Sequence, residues 1–215
     1  MYFKSLRLLT ACALLTLAGC GGGGDDPPET FQTQILSDSG YDGDIEQTGP
    51  DSAIVTQGMG PDVQSVFAGV LDTEFRAFLH FPLGGSGGVP ANARIDSAFL
   101  EIFIDNIYGT ATTIPVRIEL VDFDQPMVVT DFDRTAQPAL AYTILSPRLG
   151  SSDIGKYVPI DVTGLMVEAQ RRGLPNFQVR ILQDLGTPVD GLFEIDDPTG
   201  ANRGSKAPLL TVTYF

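Results

Sequence analysis

Residues 74–83 read EFRAFLHFPL. Phe75, Ala77, Leu79 and Phe81 take one parity, and Arg76, Phe78 and His80 the other. A period of two is the mark of a β-strand, whose successive side chains point to opposite faces. The same device recurs along the chain. Residues 97–105, SAFLEIFID, set Ala98, Leu100, Ile102 and Ile104 against Glu101 and Asp105. Residues 115–121, PVRIELV, turn Val116, Ile118 and Leu120 inward and Arg117 and Glu119 outward. Residues 177–182, FQVRIL, do so with Phe177, Val179 and Ile181, and LLTVTY at 209–214 ends the chain. Weaker strand signals lie at 31–36, 52–57, 64–70, 139–145, 156–162 and 191–196. Stretches rich in Gly, Pro, Asn and Asp separate them and read as turns.

One helix stands out, over residues 164–172. Thr163 is placed to cap it, and Gly173 and Pro175 end it. Leu165, Met166 and Ala169 share one face. So short a helix is not stable alone and must lie on a sheet. The expected fold is all-β: an antiparallel, jelly-roll-like β-sandwich with one short helix.

Outward from that domain, residues 14–30 read LLTLAGCGGGGDDPPET. Lys4 and Arg7 precede an apolar run at 8–17, and small Ala18 and Gly19 lead to Cys20. A basic start, an apolar core and small residues mark a secretory signal. The apolar run is shorter than the ~20 residues that span a bilayer. The plain alternative is an ordinary cleaved signal. Leu17-Ala18-Gly19-Cys20 instead resembles the lipobox of bacterial lipoproteins, which implies that Cys20 carries lipid and begins the mature chain. Gly21 stands where an Asp would, by the usual sorting rule, retain such a protein at the inner membrane. The expectation is an exported protein held to a membrane by lipid, at the outer membrane or cell surface. The expected division is 1–19 signal peptide, 20–30 lipidated cysteine and tether, and 31–215 one sandwich domain. Glycines, Asp25, Asp26, Pro27 and Pro28 keep the tether from helix and ladder. Extended, it reaches at most about 30 Å.

Without residues 1–19, 11 basic residues face 27 acidic ones, a net charge of −16. That balance argues against nucleic acid and against broad attraction to anionic membranes. Cys12 leaves with the signal and Cys20 is taken by lipid, so stability must rest on the core rather than on disulfides.

Chemistry-bearing residues are sparse. His80 is the one histidine, set mid-strand between Leu79 and Phe81. It reads as a sheet-face residue rather than a general base. Neither a G-x-S-x-G nor an H-E-x-x-H motif occurs, and the glycines at 84–88 lack the Lys and helix of a phosphate cradle. Paired carboxylates could serve glycoside hydrolysis, yet among 27 acids some pair is always close. Residues 37–46, SDSGYDGDIE, space oxygen donors between glycines. Hard cations want six to eight such oxygens, so a calcium site drawn from Asp38, Asp42, Asp44 and Glu46 is one expectation. A solvated Asp/Gly turn is the alternative. Weaker acidic groups are Asp122, Asp124, Asp131 and Asp133, and Asp196 with Asp197. Sugar binding needs an exposed aromatic face with polar neighbours. Tyr108, in Asn106-Ile107-Tyr108-Gly109-Thr110, is the first choice, and Tyr142 a further one.

Five ordered pieces also carry a family resemblance. They are Phe75-Arg76-Ala77-Phe78-Leu79-His80-Phe81, Ile95-Asp96-Ser97-Ala98-Phe99-Leu100-Glu101-Ile102, Asp161-Val162-Thr163-Gly164-Leu165-Met166-Val167, Asn176-Phe177-Gln178-Val179-Arg180-Ile181 and Pro208-Leu209-Leu210-Thr211-Val212-Thr213-Tyr214. In this order they resemble the DNRLRE domain, or carbohydrate-binding module family 96, over residues 38–215. Two features depart from it. Pro82 replaces an Asp after the strand-final Phe, and the chain has no Trp. The resemblance implies a β-sandwich and points to polysaccharide, with no binding residue carried over. The leading expectation is a non-catalytic glycan-binding or adhesive lipoprotein. A structural or assembly lipoprotein contacting another envelope protein is the alternative, and a polysaccharide-active enzyme stands last.

Overall fold

The computed structural model describes residues 29–49, 52–58, 64–184, 186 and 188–215. The signal, Cys20 and most of the tether lie outside the described residues. Among the described residues, fourteen strands run in order. They are β1 (Phe31–Leu36), β2 (Gly43–Gly49), β3 (Ser52–Gln57), β4 (Ser65–Val70), β5 (Glu74–Pro82), β6 (Ile95–Gly109) and β7 (Thr113–Ile114). Then come β8 (Val116–Val121), β9 (Ala141–Ile144), β10 (Leu149–Gly150), β11 (Lys156–Asp161), β12 (Asn176–Gln183), β13 (Gly191–Asp196) and β14 (Leu209–Tyr214). The α-helices among the described residues are α1 (Thr163–Arg172) and α2 (Arg203–Lys206).

Twelve strands form one curled antiparallel sheet in the order β1-β14-β6-β13-β4-β5-β12-β8-β9, with β11 on β6, β2 on β5 and β3 on β2. The two ends of the domain meet in it, Phe31 opposite Tyr214 with ring centroids 6.0 Å apart. The curl encloses one core. The predicted inward residues fill it: Ala77, Leu79 and Phe81 of β5, Ala98, Leu100, Ile102 and Ile104 of β6, Val116, Ile118 and Leu120 of β8, and Phe177, Val179 and Ile181 of β12. Leu165, Met166 and Ala169 of α1 close it. The expected all-β sandwich is therefore what forms.

Two details differ from the sequence reading. Thr163 does not cap α1: its Oγ1 accepts the Ala98 N–H at 2.9 Å, tying the helix start to β6. Gly173 does end α1, with φ at 67° and its N–H bonded to the last turn, a conformation that favours glycine. A one-turn helix, α2, lies in the stretch before β14 and had no signal in the sequence.

The largest difference is β2. Its Gly- and Asp-rich sequence reads as a turn, yet it pairs with both β3 and β5. Gly43 shows why glycine is needed there: a Cβ would lie 2.2 Å from the Thr56 carbonyl oxygen. The outer face of β5 is thereby covered too. Phe78 joins Ile45, Val121, Phe123, Met127 and Phe132 in a second, smaller core. Glu119, expected outside, sits under residues 129–137 and is fully buried.

Candidate functional site

Two polar regions stand out, one on the surface and one inside. The surface region is built on β8 and β9. Tyr142 pairs opposite Glu119, and Arg117 opposite Ile144. On a sheet, residues two apart on neighbouring strands are within reach of long side chains. The Arg117 guanidinium accordingly lies 3.5 Å from the Tyr142 ring centroid. Its Nε donates to Glu119 Oε1 at 2.7 Å, so the guanidinium is held by its edge and lies over the ring by its face. Tyr142 is nonetheless 56% exposed. Beside it is a depression of about 350 Å³ lined by Ala141, Tyr142, Thr143, Asp161, Thr163, Gly164 and Leu165. Arg134 also donates to Glu119 Oε1, at 2.6 Å, from the residues that cover the strand.

Tyr108 is placed differently. It is not at a loop tip but on β6, opposite Leu192. Its hydroxyl donates to Glu194 Oε2 at 2.7 Å. That bond, then desolvation, raises its pKa. Five strands separate β6 from β9 in the sheet order, so the two tyrosines do not belong to one ladder.

The inner region contains the predicted acidic segment. Its four acids have separate partners. Asp38 Oδ1 accepts the Gly40 N–H at 3.0 Å. Asp42 Oδ1 accepts the His80 N–H at 2.7 Å. Asp44 Oδ2 accepts the Phe67 N–H at 3.2 Å, and Glu46 Oε1 accepts the Thr73 hydroxyl at 2.9 Å. Among the described residues, no three His, Cys, Asp or Glu side chains stand close enough together to hold a metal. Burial pushes the Asp44 carboxyl up to about 7; the Phe67 N–H opposes this and Glu46 adds to it. Burial also raises Asp42 well above the ordinary range, and the neighbouring Asp197 carboxylate adds to that. Three of the other acids named from sequence are engaged as well. Asp131 accepts the Val128 N–H, Asp133 the Thr135 N–H, and Asp196 the Lys206 ammonium at 2.6 Å.

His80 is a buried sheet residue. Its Nδ1 lies 3.2 Å from the Gln178 amide nitrogen and its ring 5.1 Å from that of Tyr41. Burial lowers its pKa, against the pull of Asp38.

Sequence reasoning missed the approach of Asp42 to Asp197, which needs the curl of the sheet. It also missed the stacking of Arg117 on Tyr142. That pair had a signal: Arg117 was on the outward parity of β8, and β9 follows β8 in the chain.

The fold and these regions define the class: an all-β sandwich with an exposed aromatic platform and a buried acidic pair. No protein-family model matches the chain, and no curated protein matches it.

Proposed function

We propose that this chain is a non-catalytic, lipid-anchored surface module that binds a glycan. The observation that carries the reading is Tyr142, half-exposed and backed by Arg117 at 3.5 Å. A ring held from behind loses little freedom when a pyranose lands on it, and low ordering cost favours affinity. Thr143, Asp161 and Thr163 at the same depression offer hydroxyl and carboxylate partners for sugar hydroxyls. The resemblance to carbohydrate-binding module family 96 supports the same ligand class. Cys20 and the tether would present the module at the outer membrane or cell surface, and two or more acyl chains suffice for stable anchoring. A polysaccharide array probed with the full-length protein tests the reading. Retention on at least one polysaccharide supports it, and retention on none by a correctly folded protein overturns it.

The second reading, a partner protein of the envelope, has its own support. Ile54 of β3 and Val128 and Val129 of the neighbouring turn are exposed apolar residues. Ala53, Val129 and Phe132 line a shared depression there. A protein that co-purifies after membrane solubilisation, and is lost on Val129→Asp, would favour it.

A further inference from the structure

An apolar groove and a set of arginines that the glycan reading leaves unused surround the point where β1 begins. Phe31, the first residue of β1, pairs with Tyr214 of β14, and Tyr214 pairs with Ile95 at the start of β6. Arg94 and Phe215 exchange backbone hydrogen bonds at 2.9 and 3.1 Å. Phe31 is 49% exposed and stacks on Tyr214. The Arg94 guanidinium lies 4.9 Å from the Phe215 ring centroid.

Residues 83–94 join this corner to a groove of about 410 Å³, whose lining includes Leu83, Val89, Pro90, Leu174 and Pro175. The Thr33 hydroxyl donates to the Gly87 carbonyl, and the Ala93 N–H to that of Pro90 at 2.9 Å. The groove and the start of β1 therefore lie side by side. Gln170 and Gly173 of the groove flank Arg171 and Arg172, both exposed and both bound to Glu168 at 2.6 Å. Here Arg94, Arg171 and Arg172 offset Glu29, Asp96 and Glu168, in a chain whose net charge without residues 1–19 is −16.

Distance limits which end of the domain can meet lipid. β6 has 15 residues, and at ~3.3 Å each it carries the chain roughly 45 Å from this corner to Gly109. The tether from Cys20 reaches at most about 30 Å. A domain turned over would hold Phe31 beyond that reach.

We propose, resting on the lipid anchor of the reading above and not on its glycan, that this corner is the surface by which the domain sits on the bilayer that anchors it. Interfaces of bilayers favour aromatic rings and arginines: a ring buries its body, and a guanidinium stays with the headgroups while its stem is buried. Phe31, Tyr214 and Phe215 supply the rings, and Arg94 and Arg172 the cations. The groove adds an apolar wall that lipid can cover. Such a contact gives the tethered domain one orientation at the membrane.

The test uses full-length lipidated protein on phosphatidylcholine vesicles that carry a spin-labelled lipid, which quenches a nearby dye. The described residues hold no cysteine, so Ser86→Cys, in the loop between groove and β1, and Thr112→Cys, beyond the far end of β6, each give one site for the dye. Expected is a loss of fluorescence at position 86 and none at position 112. Phe31→Glu with Arg94→Glu, which leaves the tether unchanged, should remove that loss; Arg94→Glu alone carries this arm should the pair fail to fold. Equal loss at both positions, loss at neither, or a loss that survives the substitutions overturns the contact. So does a signal at position 86 that changes with protein concentration in the absence of vesicles, since a second copy would then take the corner. The mass of the mature N-terminus tests the anchor separately. An acylated protein without the loss overturns the contact alone, and an unacylated one overturns the anchor and the contact together.

Discussion

Arg180 and Glu119, both fully buried, meet through two contacts: Nη2 and Nε of the arginine lie 2.7 and 3.0 Å from Glu119 Oε2. They stand opposite one another on β12 and β8. Arg180 also donates to the carbonyls of Asp131 and Gln137, at 2.8 and 3.0 Å. Arg117 and Arg134 fill the other oxygen of Glu119. This ion cluster fastens residues 129–137 over the outer face of the sheet. It also holds Arg117 from below, so the buried pair sets the position of the exposed platform.

Removing one partner should be severe. Glu119→Gln leaves the Arg180 guanidinium buried without its counter-ion, and breaking such a pair costs about 3–5 kcal/mol. Denaturant unfolding should show a loss in that range. Replacing both, as Glu119→Leu with Arg180→Met, should cost less than Glu119→Gln alone, since no lone charge remains.

The same pair sets a pH response. Burial works to raise the Glu119 pKa, but the Arg180 hydrogen bond and charge, with Arg117 and Arg134, outweigh it and leave it below 4.5. A carboxyl with a lowered folded pKa contributes stability above its unfolded pKa and loses it as pH falls through the folded one. The stability gap between wild type and Glu119→Gln should thus be full at pH 7 and close as pH falls below about 4. Melting curves across that range check it; a gap that widens in acid would contradict it.

Gly43→Ala tests the unexpected strand. Its Cβ would meet the Thr56 oxygen at 2.2 Å and the Met127 methyl at 2.8 Å. Backbone cannot yield as a side-chain end can, so the cost should be about 1–3 kcal/mol. Gly84→Ala, with nothing within 4 Å, should change stability by no more than about 0.5 kcal/mol.

Tyr108→Phe separates the two tyrosines. The Tyr108 hydroxyl is engaged with Glu194, so its loss should cost about 1 kcal/mol of stability and leave glycan retention unchanged.

Much of the sandwich was legible because β5, β6, β8 and β12 alternate and bury one parity, as a sheet against a core must. β2 was not, since Gly43 and Asp44 disfavour strands and only the neighbours on both sides hold them there. Glu119 read as outward, which is right for its face of the sheet. Its burial comes from residues 129–137, whose docking no local pattern announces. The acidic segment was singled out in the sequence as a cluster of oxygen donors. Its partners were not legible, because Asp42 meets Asp197 across the fold rather than Asp44 or Glu46 along the chain. Tyr142 was visible as an aromatic near a loop, and its support by Arg117 follows from the pairing of β8 with β9.

The most direct measurement is the affinity of wild type and Tyr142→Ala for a polysaccharide that the protein retains. The account predicts a loss of tenfold or more, ~1.4 kcal/mol or more of binding free energy, with an unchanged melting temperature. Equal affinity in the two proteins, both folded, would contradict it.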